Sequence, residues 1–244
     1  MITVVGNLKG GSGKSTVTFN LAVWLARRGA DVVAFDLDSP QYTLSDVVEI
    51  RDEDQHDPPV RIFRADSDPV RELRRHTGGE ALVDVGGANN WAMRQAVRWA
   101  DRVLVPVPPS QADVFSTQKF LKLVVESLEE KEERGGGKEF NRPELLLFIN
   151  RADTHPGLRE TEETLEALRL LADKFHGVQV MNHRLCQRTV YRRSFSEGKA
   201  VFELEPNNKA VEEFERFAAE LYPHHAQQTV TQNKTGARLS AASA

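Results

Sequence analysis

The stretch Lys9-Gly10-Gly11-Ser12-Gly13-Lys14-Ser15-Thr16 decides how the rest of the chain is read, because of what stands on either side of it. The apolar run Ile2-Thr3-Val4-Val5 precedes it and a helical pattern from Val17 to Arg28 follows, so a glycine-rich turn joins a strand to a helix N-terminus. That arrangement suits a triphosphate. Gly10, Gly11, Ser12 and Gly13 let successive backbone N–H groups converge on phosphate oxygens, and Ser15 and Thr16 open the helix. Lys14 reaches the β- and γ-phosphates, and the Ser15 hydroxyl is a ligand for Mg²⁺. The general pattern G-x-x-x-x-G-K-[ST] fails at its first position, which is Leu8, and the loop carries an additional cation, Lys9.

Outward from this loop, short β-rich apolar runs alternate with longer helical patterns. The runs are Ile2 to Val5, Asp31 to Phe35, Val60 to Phe63, Ala81 to Val85, Arg102 to Val107, Leu145 to Ile149 and Val178 to Met181. Helices are expected at about Lys14 to Arg28, Pro69 to His76, Trp91 to Ala100, Gln111 to Glu133, Gly157 to Phe175, Gln187 to Glu197 and Asn208 to Tyr222. The alternation predicts an α/β fold: a doubly wound, mostly parallel sheet with helices on both faces. At 244 residues the chain is expected to form one domain over residues 1–223. Beyond Pro223 the composition turns polar without apolar periodicity, so 224–244 reads as a disordered tail. The charge run Glu126 to Glu133 reads as a solvated helix end before a flexible Gly135-Gly136-Gly137.

With 40% hydrophobic and 28% charged residues, the composition is that of a soluble protein. No apolar stretch reaches membrane-spanning length and no signal peptide is evident, so the chain is expected in the cytoplasm. Cys186 is the only cysteine, which excludes an internal disulfide and a thiolate zinc cluster. The seven histidines show no ligand spacing. Net charge is −4, against a dedicated nucleic-acid binder, yet Arg184, Arg188, Arg192, Arg193 and Lys199 gather between Met181 and Phe202 with Glu197 as the one acid. If Gln187 to Glu197 is helical, Arg188 and Arg192 share one face, with Arg193 beside them and Arg184 just before, a candidate contact for DNA phosphates. Trp91, Trp99 and Phe115 read as helix-packing residues rather than base-stacking platforms.

In a parallel sheet of this kind ligands bind beyond the carboxyl ends of the strands. After the second run stand Asp36 and Asp38: Asp36 is placed to accept a hydrogen bond from Mg²⁺-bound water, and Asp38 to orient or deprotonate an attacking water. After the fourth run, Asp84 fits a second carboxylate on the Mg²⁺ side, and Gly86 and Gly87 permit close approach to a γ-phosphate. After the sixth, the Asn150 amide is suited to reading a base edge. Each has a plainer alternative in a capped or tight loop.

Taken together, the loop from Lys9 to Thr16, Asp36-Leu37-Asp38-Ser39-Pro40-Gln41 and Asp84-Val85-Gly86-Gly87 resemble the deviant Walker ATPases of the ParA/MinD family. Val105 to Asp113 is similar to the fifth-strand segment of ParF-type partition ATPases, and Gln187 to Tyr191 with Glu197 to Glu203 to their C-terminal portion, so the likeness spans roughly residues 1 to 222. The resemblance implies a P-loop NTPase fold with ATP and Mg²⁺ as cofactors. It makes Lys9 the signature lysine that crosses an ATP-sandwich homodimer, Lys14 and Ser15 the phosphate and Mg²⁺ binders, Asp38 an aid to hydrolysis and Asp84 a Mg²⁺-side group. It further implies nonspecific DNA binding on the nucleoid, and a ParB-like or other adaptor that links the ATPase to a cargo, whether plasmid, chromosome or protein body such as a carboxysome. Ser39 departs from the family, which usually reads Asp-Pro-Gln directly. A MinD-like membrane cycle is the alternative. The acidic last helical pattern, Ala210 to Phe217, and a tail with only Lys234 and Arg238 as cations do not suit lipid docking. Amidotransferase or reductase chemistry on the same fold lacks its nucleophiles and metal ligands here.

Overall fold

The computed structural model describes residues 1–63, 68–87, 91–134, 141–155 and 159–227. Its centre is a parallel sheet built from β1 (Ile2–Val5), β2 (Val32–Leu37), β3 (Arg61–Phe63), β4 (Glu80–Val85), β5 (Arg102–Val107), β6 (Glu144–Ala152) and β7 (Val178–Val180). The order is β3-β2-β4-β1-β5-β6-β7, and a two-residue β8 (Leu185–Cys186) extends pairing along β6. The order reverses direction beside β1, which puts the carboxyl ends of β1, β2 and β4 around one crevice.

Helices cover both faces, and the apolar runs divide between them by parity. Val5, Leu82, Leu104 and Phe148 join a core with Phe19, Trp24, Phe214, Phe217 and Tyr222. Their neighbours Val4, Val83, Val105 and Leu147 join another with Met93, Val97, Phe120 and Leu121. A strand with apolar residues at consecutive positions is the form that burial on both sides demands. The first core lies under α1 (Lys14–Ala26), α2 (Thr43–Glu53), α7 (Thr189–Ser196), α8 (Val201–Leu204) and α9 (Lys209–Leu221), and the second under α3 (Pro69–Arg75), α4 (Trp91–Trp99), α5 (Gln111–Arg134) and α6 (Glu160–Ala172). Within α1 the buried residues run without a break from Val17 to Leu25, as suits a helix wedged between sheet and neighbouring helices.

The sequence pattern missed α2, α8 and β8. In α2 the buried face includes Arg51, fully enclosed and bonded from Nη1 and Nη2 to the Glu203 carboxylate at 2.8 and 2.9 Å, from Nη1 to Gly198 O and from Nε to Pro58 O. A buried arginine looks like a surface residue in sequence, which hid the apolar stripe Leu44, Val47, Val48 around it. The polar tail was expected to begin at 224, but residues 223–227 form a helical turn with His225 buried. The rest of that tail, 228–244, and the Gly135-Gly136-Gly137 segment lie outside the described residues. No helix among the described residues is long and apolar enough to cross a membrane.

Candidate active site

The loop after β1 turns through left-handed backbone at Gly11 (φ 76°) and Gly13 (φ 90°) before α1 begins. Gly13 has a second constraint, because a Cβ there would stand 2.4 Å from Asn150 Nδ2. That amide donates to Ser12 O at 2.7 Å, so Asn150, expected to read a base edge, also braces the loop from β6. No side chain caps the N-terminus of α1, which leaves its first N–H groups to an anion. Lys14 is buried with Nζ 3.5 Å from Lys9 O, its ammonium lying across the loop.

Asp36 and Asp84 are register partners on adjacent strands, both fully buried. Their environments differ. Asp36 Oδ2 accepts from Ser45 N and Oγ at 2.8 and 2.9 Å, and Oδ1 from Asp38 N at 3.1 Å, so this carboxylate fastens the loop after β2 to the start of α2. Neither Asp84 oxygen has a hydrogen bond of ordinary geometry. Burial pushes the Asp84 carboxyl up to about 7; the nearby Ser15 hydroxyl and Lys14 ammonium pull it down, and Asp36 and Asp38 push with burial. A buried carboxylate with bare oxygens next to a hydroxyl is a hard oxygen donor set, and it fits Mg²⁺. Asp38 is also raised, by burial first, with Lys14 opposing and Asp36 adding. That moves a candidate base toward neutral pH. A Cβ at Gly86 would come within 2.4 Å of Asp38 Oδ1, and one at Gly87 within 2.6 Å of Leu8 O, so the paired glycines let three loops meet. Ser39 and Pro40 form the middle of a turn in which Asp38 O accepts from Gln41 N and Tyr42 N.

Lys9 does not project freely. Its Nζ pairs with Asp113 Oδ2 at 2.6 Å, at the start of α5, and Asp113 is buried. Asn7 secures the base of the loop, donating to Pro106 O and Thr117 Oγ1 and accepting from Lys9 N and Ser116 Oγ. Asn7, Ser45 and Asp113 had no assigned role in the sequence. Their signal is positional: each is a polar residue at the end of an apolar strand or the start of a helix.

A cavity of about 220 Å³ opens beside the loop, lined by Gly13, Thr16, Asn150, Cys186, Arg188 and Arg192 among others. Two of the four arginines expected on DNA therefore line this cavity beside the loop. The expected helix from Gln187 also begins later, at Thr189, because β8 and the Gln187 N to Ala152 O bond hold 185–187 on β6. Arg188 is extended (φ −129°, ψ 139°), so it and Arg192 are not a helical pair. Its guanidinium forms a two-pronged bridge to Glu213 at 3.0 and 2.5 Å. Arg184 pairs with Glu162 and Arg193 with Glu205, both at the surface. Arg192 is exposed. The packing role expected for Trp91, Trp99 and Phe115 is not observed: they are 63%, 41% and 54% exposed, and Trp99 stacks with Arg74 and Lys131.

A strand, a glycine-rich phosphate loop and a capless helix, with acids from two adjacent strands, define a P-loop nucleotide-binding protein. The chain belongs to the CobQ/CobB/MinD/ParA nucleotide binding domain family (CbiA), whose pattern matches residues 3–227. It is 27% identical to the maintenance of carboxysome distribution protein A of Halothiobacillus neapolitanus, over 90% of this chain and 95% of that one. It is 25% identical to ParA of Rhizobium radiobacter, over 91% and 96%. In fold it is similar to a plasmid partition protein of Borrelia burgdorferi bound to AMPPNP, with TM-score 0.67, 16% identity and coverage of 92% and 99%.

Proposed function

We propose that this chain is a Mg²⁺-dependent ATPase that pairs with a second copy around ATP, binds duplex DNA without base selectivity, and positions a cargo through an adaptor that stimulates hydrolysis. The observation that carries the reading is the fully buried Asp84 carboxylate beside the Ser15 hydroxyl and the Lys14 ammonium. Mg²⁺ bound there would supply charge neutralisation across the β- and γ-phosphates. Around it, Lys14 and the N–H groups of Gly10 to Thr16 hold the triphosphate, and Asp38 takes or orients the proton of the attacking water. Asp36 keeps Asp38 in place through its backbone N–H. Lys9 is half exposed, so its ammonium can leave Asp113 for a phosphate held by a second copy.

DNA binding fits the arginines in a restricted way. The Arg184–Glu162 and Arg193–Glu205 pairs are exposed and worth about 0–1 kcal/mol each, so phosphates can replace the carboxylates. Arg188 is held more deeply and serves the cavity beside the loop. A membrane cycle finds no support in α9, whose apolar residues Phe214, Phe217 and Leu221 are spent in the core.

The test combines three readings on one preparation: ATP turnover with and without Mg²⁺, light scattering with ATP, and duplex binding over a salt series. Mg²⁺-dependent turnover, ATP-dependent dimers and salt-sensitive, sequence-indifferent binding are expected. Turnover without DNA binding in the presence of ATP would reject the DNA part alone; absence of Mg²⁺–ATP binding would reject the whole.

A further inference from the structure

At the end of the sheet opposite the phosphate loop, β4 opens on Glu80, a carboxylate only 6% exposed. The helical turn of residues 223–227 packs there and brings two consecutive histidines to one oxygen. His225 Nε2 lies 3.0 Å and His224 Nε2 3.4 Å from Glu80 Oε1, and the three ligand atoms all fall within 4.8 Å of one another. Adjacent residues of a helical turn project about 100° apart, so convergence on one atom is not what the backbone alone provides. The imidazole rings stand 4.2 Å apart between centroids.

Hydrogen bonding accounts for part of this cluster only. Glu80 Oε1 receives both histidines, while the buried Glu80 Oε2 and His225 Nδ1 have no hydrogen bond. The Met1 amino group lies 3.7 Å from Oε2. A metal ion explains the arrangement better. Ligand bonds of about 2.0 Å in a tetrahedron place neighbouring donor atoms about 3.3 Å apart, which the two measured separations bracket.

We propose that Glu80, His224 and His225 form a binding site for one divalent transition-metal ion, with Zn²⁺ the best match to two imidazoles and a carboxylate. The ion ties the turn after α9 to the start of β4, and water completes its coordination. Mg²⁺ demands six oxygens in near-octahedral array, so the nucleotide's metal does not compete for this site. The inference is independent of the ATPase reading, because β4 carries Glu80 and Asp84 at opposite ends of the strand.

The experiment uses the full chain without a polyhistidine tag, stripped by chelator. Co²⁺ is titrated while visible d–d absorption is followed, then displaced by Zn²⁺, and Zn²⁺ binding is measured by calorimetry. One ion per chain with Kd at or below about 10 μM is expected, as for a site formed on folding. His224 is largely exposed, so His224→Ala removes a ligand with little loss of packing; it should weaken binding at least tenfold, as should Glu80→Gln. His183→Ala, where the histidine pairs with Glu220 instead, should leave binding unchanged. Free Zn²⁺ at about a hundred times Kd should raise the wild-type melting temperature by roughly 5–10 °C, and not that of His224→Ala. Wild-type affinity weaker than about 10 μM overturns the proposal. So does a Zn²⁺-induced rise in melting temperature that survives both His224→Ala and His225→Ala.

Discussion

Replacing Asp84 by Asn should stabilise the metal-free protein, and by an amount that grows with pH. In an unfolded chain this carboxyl titrates near pH 3.9, and burial pushes it up to about 7 in the folded state. The folded protein therefore holds a proton that the unfolded chain has lost, and wild-type stability falls as pH rises between those values. A shift of about three units at about 1.4 kcal/mol per unit makes the full penalty on the order of 4 kcal/mol. Between about pH 5.5 and about pH 8 the wild type should lose about 2 kcal/mol through this group alone, while Asp84→Asn loses none of it. Urea denaturation of both proteins without Mg²⁺ or nucleotide checks this. The midpoint of the variant should pull ahead of the wild type by roughly 0.5–1 M urea between the two pH values. Titrating groups remote from Asp84 cancel in the difference, which is why the comparison is made between proteins and not within one. With Mg²⁺–ATP the order should invert, because the variant lacks the anionic ligand. A stability difference that stays constant across that pH range would refute the assignment of Asp84 as a buried acid held near neutrality.

Lys14→Ala should abolish ATP binding by removing the buried ammonium that lies across the glycine loop, whereas Asp38→Ala should keep binding and slow turnover at least a hundredfold; fluorescent-nucleotide titration beside phosphate release separates the two, and equal loss of binding would contradict the division of roles. Asp113→Asn should free Lys9 from its 2.6 Å partner and lower the ATP concentration at which light scattering reports a dimer, and an unchanged midpoint would show that the pair does not restrain Lys9. Gly13→Ala meets both a φ of 90° and Asn150 Nδ2 at 2.4 Å, so nucleotide affinity should drop at least tenfold; retained affinity would mean the loop moves aside cheaply.

What was legible in sequence follows from how local the signal is. The strand, glycine loop and helix from Ile2 to Arg28 are contiguous, and each part constrains the next, so the loop is legible residue by residue. The buried runs of β4, β5 and β6 were equally plain, since strands covered on both faces carry unbroken apolar sequence. Non-local partners were not legible. Arg51 marks α2 as polar until Glu203 encloses it, Arg188 reads as a surface cation until Glu213 claims it, and Lys9 reads as free until Asp113 is brought beside it. The break before Thr189 depended on β6, far away in sequence. The histidines at 224 and 225 showed no ligand spacing because their partner, Glu80, is supplied by the fold.

The alternation that splits the strands between two cores also governs what changes of length β4 can bear. Glu80, Leu82 and Asp84 occupy alternate positions, with Leu82 in the core under α1 and α9 and Ala81 and Val83 in the core under α4 and α5. A slip of one residue would exchange the two apolar sets and turn both carboxylates to the opposite face at the same moment. A one-residue shift of the whole strand thus strikes both of its ends together. A point substitution at either end leaves the other untouched, so the two edges can diverge by replacement while the strand between them is fixed in length.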